Sequence, residues 1–115
     1  MKIELSLPDN YDRPHKCGCG ADSARIDLVP DSILLVSVRD ACCPHDFEYT
    51  VGGTQKDKTR ADRRFLANML KIINSQPWYY PKEIAKGIAF SYYYAVRLEG
   101  DKHFNFTQEK PDEAV

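Results

Sequence analysis

His45 and Asp46 stand side by side within residues 40–62, DACCPHDFEYTVGGTQKDKTRAD, and Tyr49 follows four positions after the histidine. An imidazole can accept and return a proton near neutral pH when a partner fixes its tautomer. Asp62 is the candidate partner. From it the apolar residues Phe65, Leu66, Met69 and Ile73 recur at i+3, i+4, i+7 and i+11, which is one helix face. That places Asp62 on the buried stripe of its own helix, with Arg63 and Arg64 directed outward. A carboxylate on an apolar stripe is costly unless a donor satisfies it. His45 is the natural donor, and an Asp62 held to one ring nitrogen leaves the other free as a general base. Asp46 points about 100° around the helix from His45, so it faces a different partner. Opposite the Cys17–Gly20 loop it can offer a carboxylate to a hard cation bound otherwise by backbone carbonyls, as calcium is. The plainer alternative is a surface ion pair with a Lys or Arg.

The elements that must position these residues read as follows. Residues 1–16 form an arm that Pro8 and Pro14 keep from becoming a longer element. KCGCGADS, residues 16–23, is a glycine-containing loop. The apolar passage from Ile26 through Val36 fits either a short strand or a buried helical turn, and irregular structure under the main helices is the expectation. Asp40 is a candidate N-cap for a helix in which Pro44 falls in the first turn, and Gly52-Gly53 supplies its stop. Thr54 or Asp57 caps a second helix running to about Asn74. A loop rich in aromatics, Ser75 to Pro81, then leads to a third helix, about Pro81 to Leu98. Its expected inner face is Ile84, Ile88, Tyr92, Ala95 and Val96, with Gly100 beyond its end. The tail from Asp101 is polar, apart from Phe104 and Phe106, which can dock. Trp78, Tyr79 and Tyr80 offer either a rim for lipid headgroups or loop packing, with packing the expectation.

At 115 residues the chain is one domain, 1–115, able to bury a core. Lys and Arg number 16 against 17 Asp and Glu, a formal charge of −1, so no global field draws it to nucleic acid or anionic lipid. The run Lys56, Lys58, Arg60, Arg63 and Arg64 reads as a solvated helix face. No apolar run has the length of a signal peptide or a membrane span, so the chain reads as soluble. Its localisation and oligomeric state are open. Cys17, Cys19, Cys42 and Cys43 form two close pairs. Neighbouring cysteines bridge each other poorly, which favours a link between the pairs, with reduced thiols or a zinc site as alternatives. C-x-C and C-C are not the usual zinc-ligand spacings.

The string Ala41-Cys42-Cys43-Pro44-His45-Asp46-Phe47-Glu48-Tyr49 resembles the catalytic helix of secreted-type phospholipases A2, most of all the short prokaryotic and fungal branch. Arg60 to Met69 is similar to that family's second long helix. Small phage-encoded proteins of unassigned role share the same order of motifs, and the resemblance runs from about Cys17 to Arg97. It implies a mostly α fold in which two antiparallel long helices carry His45 and Asp62 opposite each other. A third C-terminal helix and a loop-rich N-terminal third complete it. It implies calcium-dependent hydrolysis of glycerophospholipid sn-2 esters, with a phospholipid or membrane surface as partner. His45 would be the base, Asp62 its orienting group, and Tyr49 a donor to Asp62. Asp46, Gly18, Gly20 and Asp22 would lie around calcium, and Cys19 would bond Cys42. The calcium loop departs from the family: Cys19-Gly20-Ala21-Asp22-Ser23 keeps only the first glycine of the animal C-G-x-G-G pattern. Where the prokaryotic branch has a ligating Asp, this chain has Cys17, or His15 if Cys17 is the matching cysteine. Two other readings stand beside the hydrolase: a non-catalytic phage structural or accessory protein on the same scaffold, and a small zinc-binding module.

Overall fold

The computed structural model describes residues 4–8, 11, 30 and 32–106. These form a mostly helical domain. A small hairpin, β1 (Ser32–Ile33) and β2 (Val36–Ser37), precedes α1 (Arg39–Val51), α2 (Gln55–Asn74) and α3 (Lys82–Glu99). A 3-10 turn, Gly100–Lys102, follows α3 directly. Helix α2 is the spine against which both α1 and α3 pack.

The start of α2 is fixed by its own sequence. Thr54 accepts a hydrogen bond from the Asp57 backbone N–H, and the Asp57 carboxylate accepts one from the Thr54 N–H at 2.9 Å, a reciprocal capping box. The stripe so launched buries Lys58, Ala61, Asp62, Phe65, Asn68, Met69, Ile72 and Ile73. Its i, i+3, i+4 spacing is regular, but three of its members are polar. Asn68 serves the arm: Ser6 N–H donates to its Oδ1 at 2.7 Å and its Nδ2 donates to Ser6 O at 2.9 Å. The amide thereby pairs with a backbone segment as a neighbouring strand would.

Helix α1 differs from expectation at its start. It begins at Arg39, its N-cap is Val38 with no side-chain cap bond, and Asp40 lies in the first turn. Pro44 is therefore in the second turn, where it removes one helical bond. At the far end Gly52 has φ 78° and its N–H closes on Glu48 O at 2.9 Å. A Cβ there would collide with the Asn105 carbonyl, so both the backbone angle and the space demand glycine. The chain after α3 docks on this turn. Asn105 N–H donates to Tyr49 O, Gly53 N–H donates to Asn105 O, and buried Phe104 meets the Tyr49 ring edge-on at 5.0 Å.

The inner face of α3 is shifted from the expected one. Ala85, Ala89 and Val96 are buried, with Ile88, Tyr92 and Ala95 at its margins, while Ile84 is 63% exposed. The small Ala85 and Ala89, one turn apart, are fully buried on this face, and the larger Ile84 is left outside. The passage through Ile33 is the β1–β2 hairpin rather than irregular structure. Its two-residue turn is Leu34-Leu35, both at positive φ, 47° and 72°. Such turns favour Asn and Gly, and a leucine in the left-handed region costs about 1–2 kcal/mol. The sequence carried no turn signature there to read.

The capping box supplies a direct check on α2. Thr54→Ala removes the side-chain half of the box and is expected to cost about 1 kcal/mol in urea denaturation. Gln55→Ala, one position inside the helix, serves as the neutral control.

Candidate functional site

Helices α1 and α2 run antiparallel, which sets residue 45 against residue 62 and residue 49 against the turn below. Asp62, fully buried, is the centre of what results. Its Oδ1 receives His45 Nε2 at 2.8 Å and the Tyr49 hydroxyl at 2.6 Å. Its Oδ2 receives Lys58 Nζ at 3.0 Å and Arg97 Nη1 at 2.9 Å. His45 and Tyr49 come from α1, Lys58 and Asp62 from α2, and Arg97 from α3. The structure thus brings together the three residues expected to act as one unit, His45, Asp62 and Tyr49.

Two further members, Lys58 and Arg97, complete the cluster. Lys58 reads in the sequence as part of a solvated face, yet it is 1% exposed. It sits four residues before Asp62 and so on the same stripe, and that spacing is the signal that could have found it. Its ammonium also donates to Val96 O at 3.4 Å and lies 3.5 Å from the Asp101 carboxylate, so its three protons all find oxygens. The rest of the basic run divides. Lys56, Arg60 and Arg63 are exposed, whereas Arg64 turns inward to Glu48 on α1 at 3.2 Å. Burial raises the Glu48 carboxyl above its ordinary range, and Arg64 opposes that rise. Gly100 is adjacent to this cluster for want of a side chain. Its backbone is ordinary, but a Cβ would strike the Tyr49 hydroxyl.

The electrostatics follow from this packing. Burial pushes the Asp62 pKa up, but the hydrogen bonds and charge of His45, with the bonds from Tyr49 and Lys58, outweigh it and hold the group below its ordinary value. Asp62 is therefore an anion that only accepts, so His45 Nε2 must carry the proton it shares. In the tautomer this bond selects, the lone pair is on Nδ1. The Tyr49 phenol is pushed well above its usual range by burial and by the adjacent Asp62 charge, and it stays a donor. The imidazole is held on its flat sides too: Phe65 stacks on it at 4.5 Å and Tyr49 lies at 4.4 Å between ring centres. His45 is 4% exposed; neither the cleft lined by Pro8, Phe47 and Glu48 nor the one lined by Gln55, Thr59 and Arg63 includes it.

The expected cation site is only partly in view. Asp46 is half-buried on α1, beside His45 but outside the Asp62 cluster. Gly18, Gly20 and Asp22 lie outside the described residues, as does Cys19. Cys42 and Cys43 are both disulfide-bonded. Among the described residues no three His, Cys, Asp or Glu side chains gather as a metal site. These residues alone do not make a calcium site, and two of the cysteines considered for zinc are not thiolates.

Four hydrogen bonds converge on the buried Asp62 carboxylate, so its removal is expected to be costly. Asp62→Asn leaves two cations facing a neutral amide and is expected to cost about 3–5 kcal/mol. Tyr49→Phe removes one donor of four and should cost about 1 kcal/mol. Equal losses in denaturant titrations would contradict this order. The acid limb carries the same signature. Because its folded pKa lies below the ordinary 3.8, the Asp62 contribution is complete above that value. It disappears as pH falls through the folded pKa, and Asp62→Asn should lack this loss. No protein-family model, no curated protein and no solved structure matches the chain, so the site rests on its own geometry.

Proposed function

We propose that this domain is a phospholipase A2-like ester hydrolase acting on the sn-2 position of glycerophospholipids, with His45 as the base. The observation that carries the reading is the buried His45–Asp62–Tyr49 contact, with Nε2 committed to Asp62 at 2.8 Å. In that arrangement Nδ1 takes a proton from water as the water attacks the ester carbonyl. Asp62 keeps the ring in one tautomer and orientation, and its negative charge favours the imidazolium that forms. Tyr49 fixes Asp62 in turn. The proton on Nδ1 then passes to the departing alkoxide, which returns the ring to its starting state. The resemblance of residues 41–49 and 60–69 to the phospholipase A2 helices supports the substrate class. Calcium would polarise the ester carbonyl in such an enzyme, with Asp46 as a carboxylate donor. The chemistry assigned here is that of the protein side chains.

One observation favours a second reading. Lys58 and Arg97 already neutralise Asp62 through its other oxygen. An aspartate so paired can hold three helices together without catalysis, which is the non-catalytic scaffold.

Fatty-acid release from mixed phospholipid micelles separates the two, measured in millimolar calcium and in EGTA. Wild-type protein is expected to release fatty acid in calcium, and His45→Gln to lose about 10²–10⁴-fold of that rate while remaining folded. No release from folded wild-type protein, or equal release from the variant, would leave the cluster with a structural role alone.

A further inference from the structure

We propose that the outer face of α3 is a self-association surface, on which a second copy of this chain docks in antiparallel orientation. The proposal is independent of the hydrolase reading, and its test needs no turnover.

Helix α3 carries two stripes. Ala85, Ala89 and Val96 face the core, while Ile84, Phe90, Tyr94 and Leu98 are 63%, 40%, 58% and 76% exposed on the opposite side. With Gly87 and Ser91 between them, these positions span about 120° of the helix, the width of a stripe that packs against another element. Of the other described helices, α1 exposes one large apolar side chain, Val51, and α2 none. Trp78 and Tyr79 are also exposed, on the α2–α3 connection. Loop packing, the expectation for these aromatics, holds only for Tyr80, whose hydroxyl donates to Ile33 O at 2.7 Å.

Gly87 is the residue that nothing inside the chain explains. It lies mid-helix without a positive φ, and a Cβ there would meet nothing within 4 Å. Neither the backbone nor the space within the chain calls for glycine, which destabilises a helix interior relative to alanine. What a bare Cα permits is the close approach of another molecule. Ser91, one turn on, commits its hydroxyl to Ile88 O at 2.7 Å and presents a compact surface.

The pattern is complementary to itself. About a two-fold axis at residues 90 and 91, Tyr94 of one protomer meets Gly87 of its partner, and Ile84 meets Leu98. Large stands against small near the centre and apolar against apolar at the ends. The charges agree with the same axis. Glu83, 88% exposed and paired in its own chain with Lys86 at 3.6 Å, falls opposite Arg97. Arg97 gives Nη1 to Asp62 and, 30% exposed, has further N–H groups to offer. A parallel pair would set Glu83 against Glu83 and Arg97 against Arg97. An unrelated partner has no need of a pattern symmetric about its own middle, and a second copy does. The 18 residues of α3 make a strip about 27 Å long. That is below standard interface size, so the expected dimer is weak, with Kd on the order of 10–100 µM.

Sedimentation velocity from about 10 µM to about 1 mM is expected to show a monomer–dimer equilibrium for wild-type protein. Gly87→Gln is the informative variant. It removes the glycine and clashes with nothing in its own chain, so the melting temperature should rise. Its side chain fills the space that the partner's Tyr94 needs, so affinity should fall on the order of tenfold or more. Glu83→Arg, which sets like charges together, should also weaken the dimer with the fold intact. Single cysteines check the orientation. Ser91→Cys, beside the axis, is expected to form a disulfide with its own copy. Ile84→Cys, roughly 20 Å from its copy along the axis of the pair, is not. Wild-type protein that stays monomeric throughout would overturn the proposal, and co-sedimentation of that monomer with phosphatidylcholine vesicles would assign the face to lipid instead. Undiminished association of folded Gly87→Gln, or equal cross-linking at both cysteine positions, would overturn it as well.

Discussion

A carboxylate with no solvent exposure loses the hydration that makes its charge tolerable, and Asp62 recovers it from four side chains on three helices. The rest of the architecture is arranged around that requirement. The antiparallel turn at Gly52-Gly53 sets α1 against α2 so that His45 and Tyr49 arrive together. Arg97 brings the last turn of α3 to the same point, and Gly100 leaves room for the Tyr49 hydroxyl. Phe104 then covers the Tyr49 ring. Hydrophobic burial supplies most of the stability of such a domain but is non-directional. The hydrogen bonds to Asp62 require particular donors at particular positions, and they select one register of α1 on α2.

The two carboxylate oxygens face different surroundings. Oδ1 meets an imidazole and a phenol; Oδ2 meets an ammonium and a guanidinium. Lys58 is itself shared with Asp101, so Lys58, Arg97, Asp62 and Asp101 set two cations against two anions. These four charges balance among themselves. A proton added to Nδ1 adds one positive charge next to a carboxylate already committed elsewhere. Lys58 and Arg97 thus moderate the stabilisation that Asp62 can give an imidazolium, which sets this cluster apart from a simple His-Asp pair.

The His45–Asp62 pairing was legible because Asp62 falls on an unbroken apolar stripe, where burial and the need for a donor follow from spacing alone. Lys58 falls on that same stripe, but within K-D-K-T-R it reads as one of several solvated charges. Recognising it required knowing that an anion waited four residues on. The glycine stop of α1 was legible from residue types. So was the cap of α2, down to a choice between Thr54 and Asp57, which the structure resolves as Thr54 with Asp57 completing a reciprocal box. The start of α1 was not, because Val38 caps it without a side-chain bond and Asp40 made a plausible substitute. On α3 the buried stripe is displaced by one position, so Ala85 and Ala89 are buried while the larger Ile84 faces solvent. The hairpin was hidden because Leu34-Leu35 contradicts the chemistry by which such turns are found.

That last failure has a physical counterpart. Local sequence preference and tertiary structure usually agree, and places where they disagree tend to carry a demand from outside the fold. Two such disagreements occur here, and they are of opposite kinds. At Lys58 and Asp62 charges are buried but fully satisfied within the protein, so the conflict is resolved internally. At Leu34 and Leu35 the backbone is strained and the side chains remain in water, so nothing within the described protein resolves it. The hairpin is secured from behind by Ile33 in the core and by two tyrosine hydroxyls on its backbone carbonyls. The strain at Leu34-Leu35 is thus carried by the anchoring of the two strands on either side of the turn.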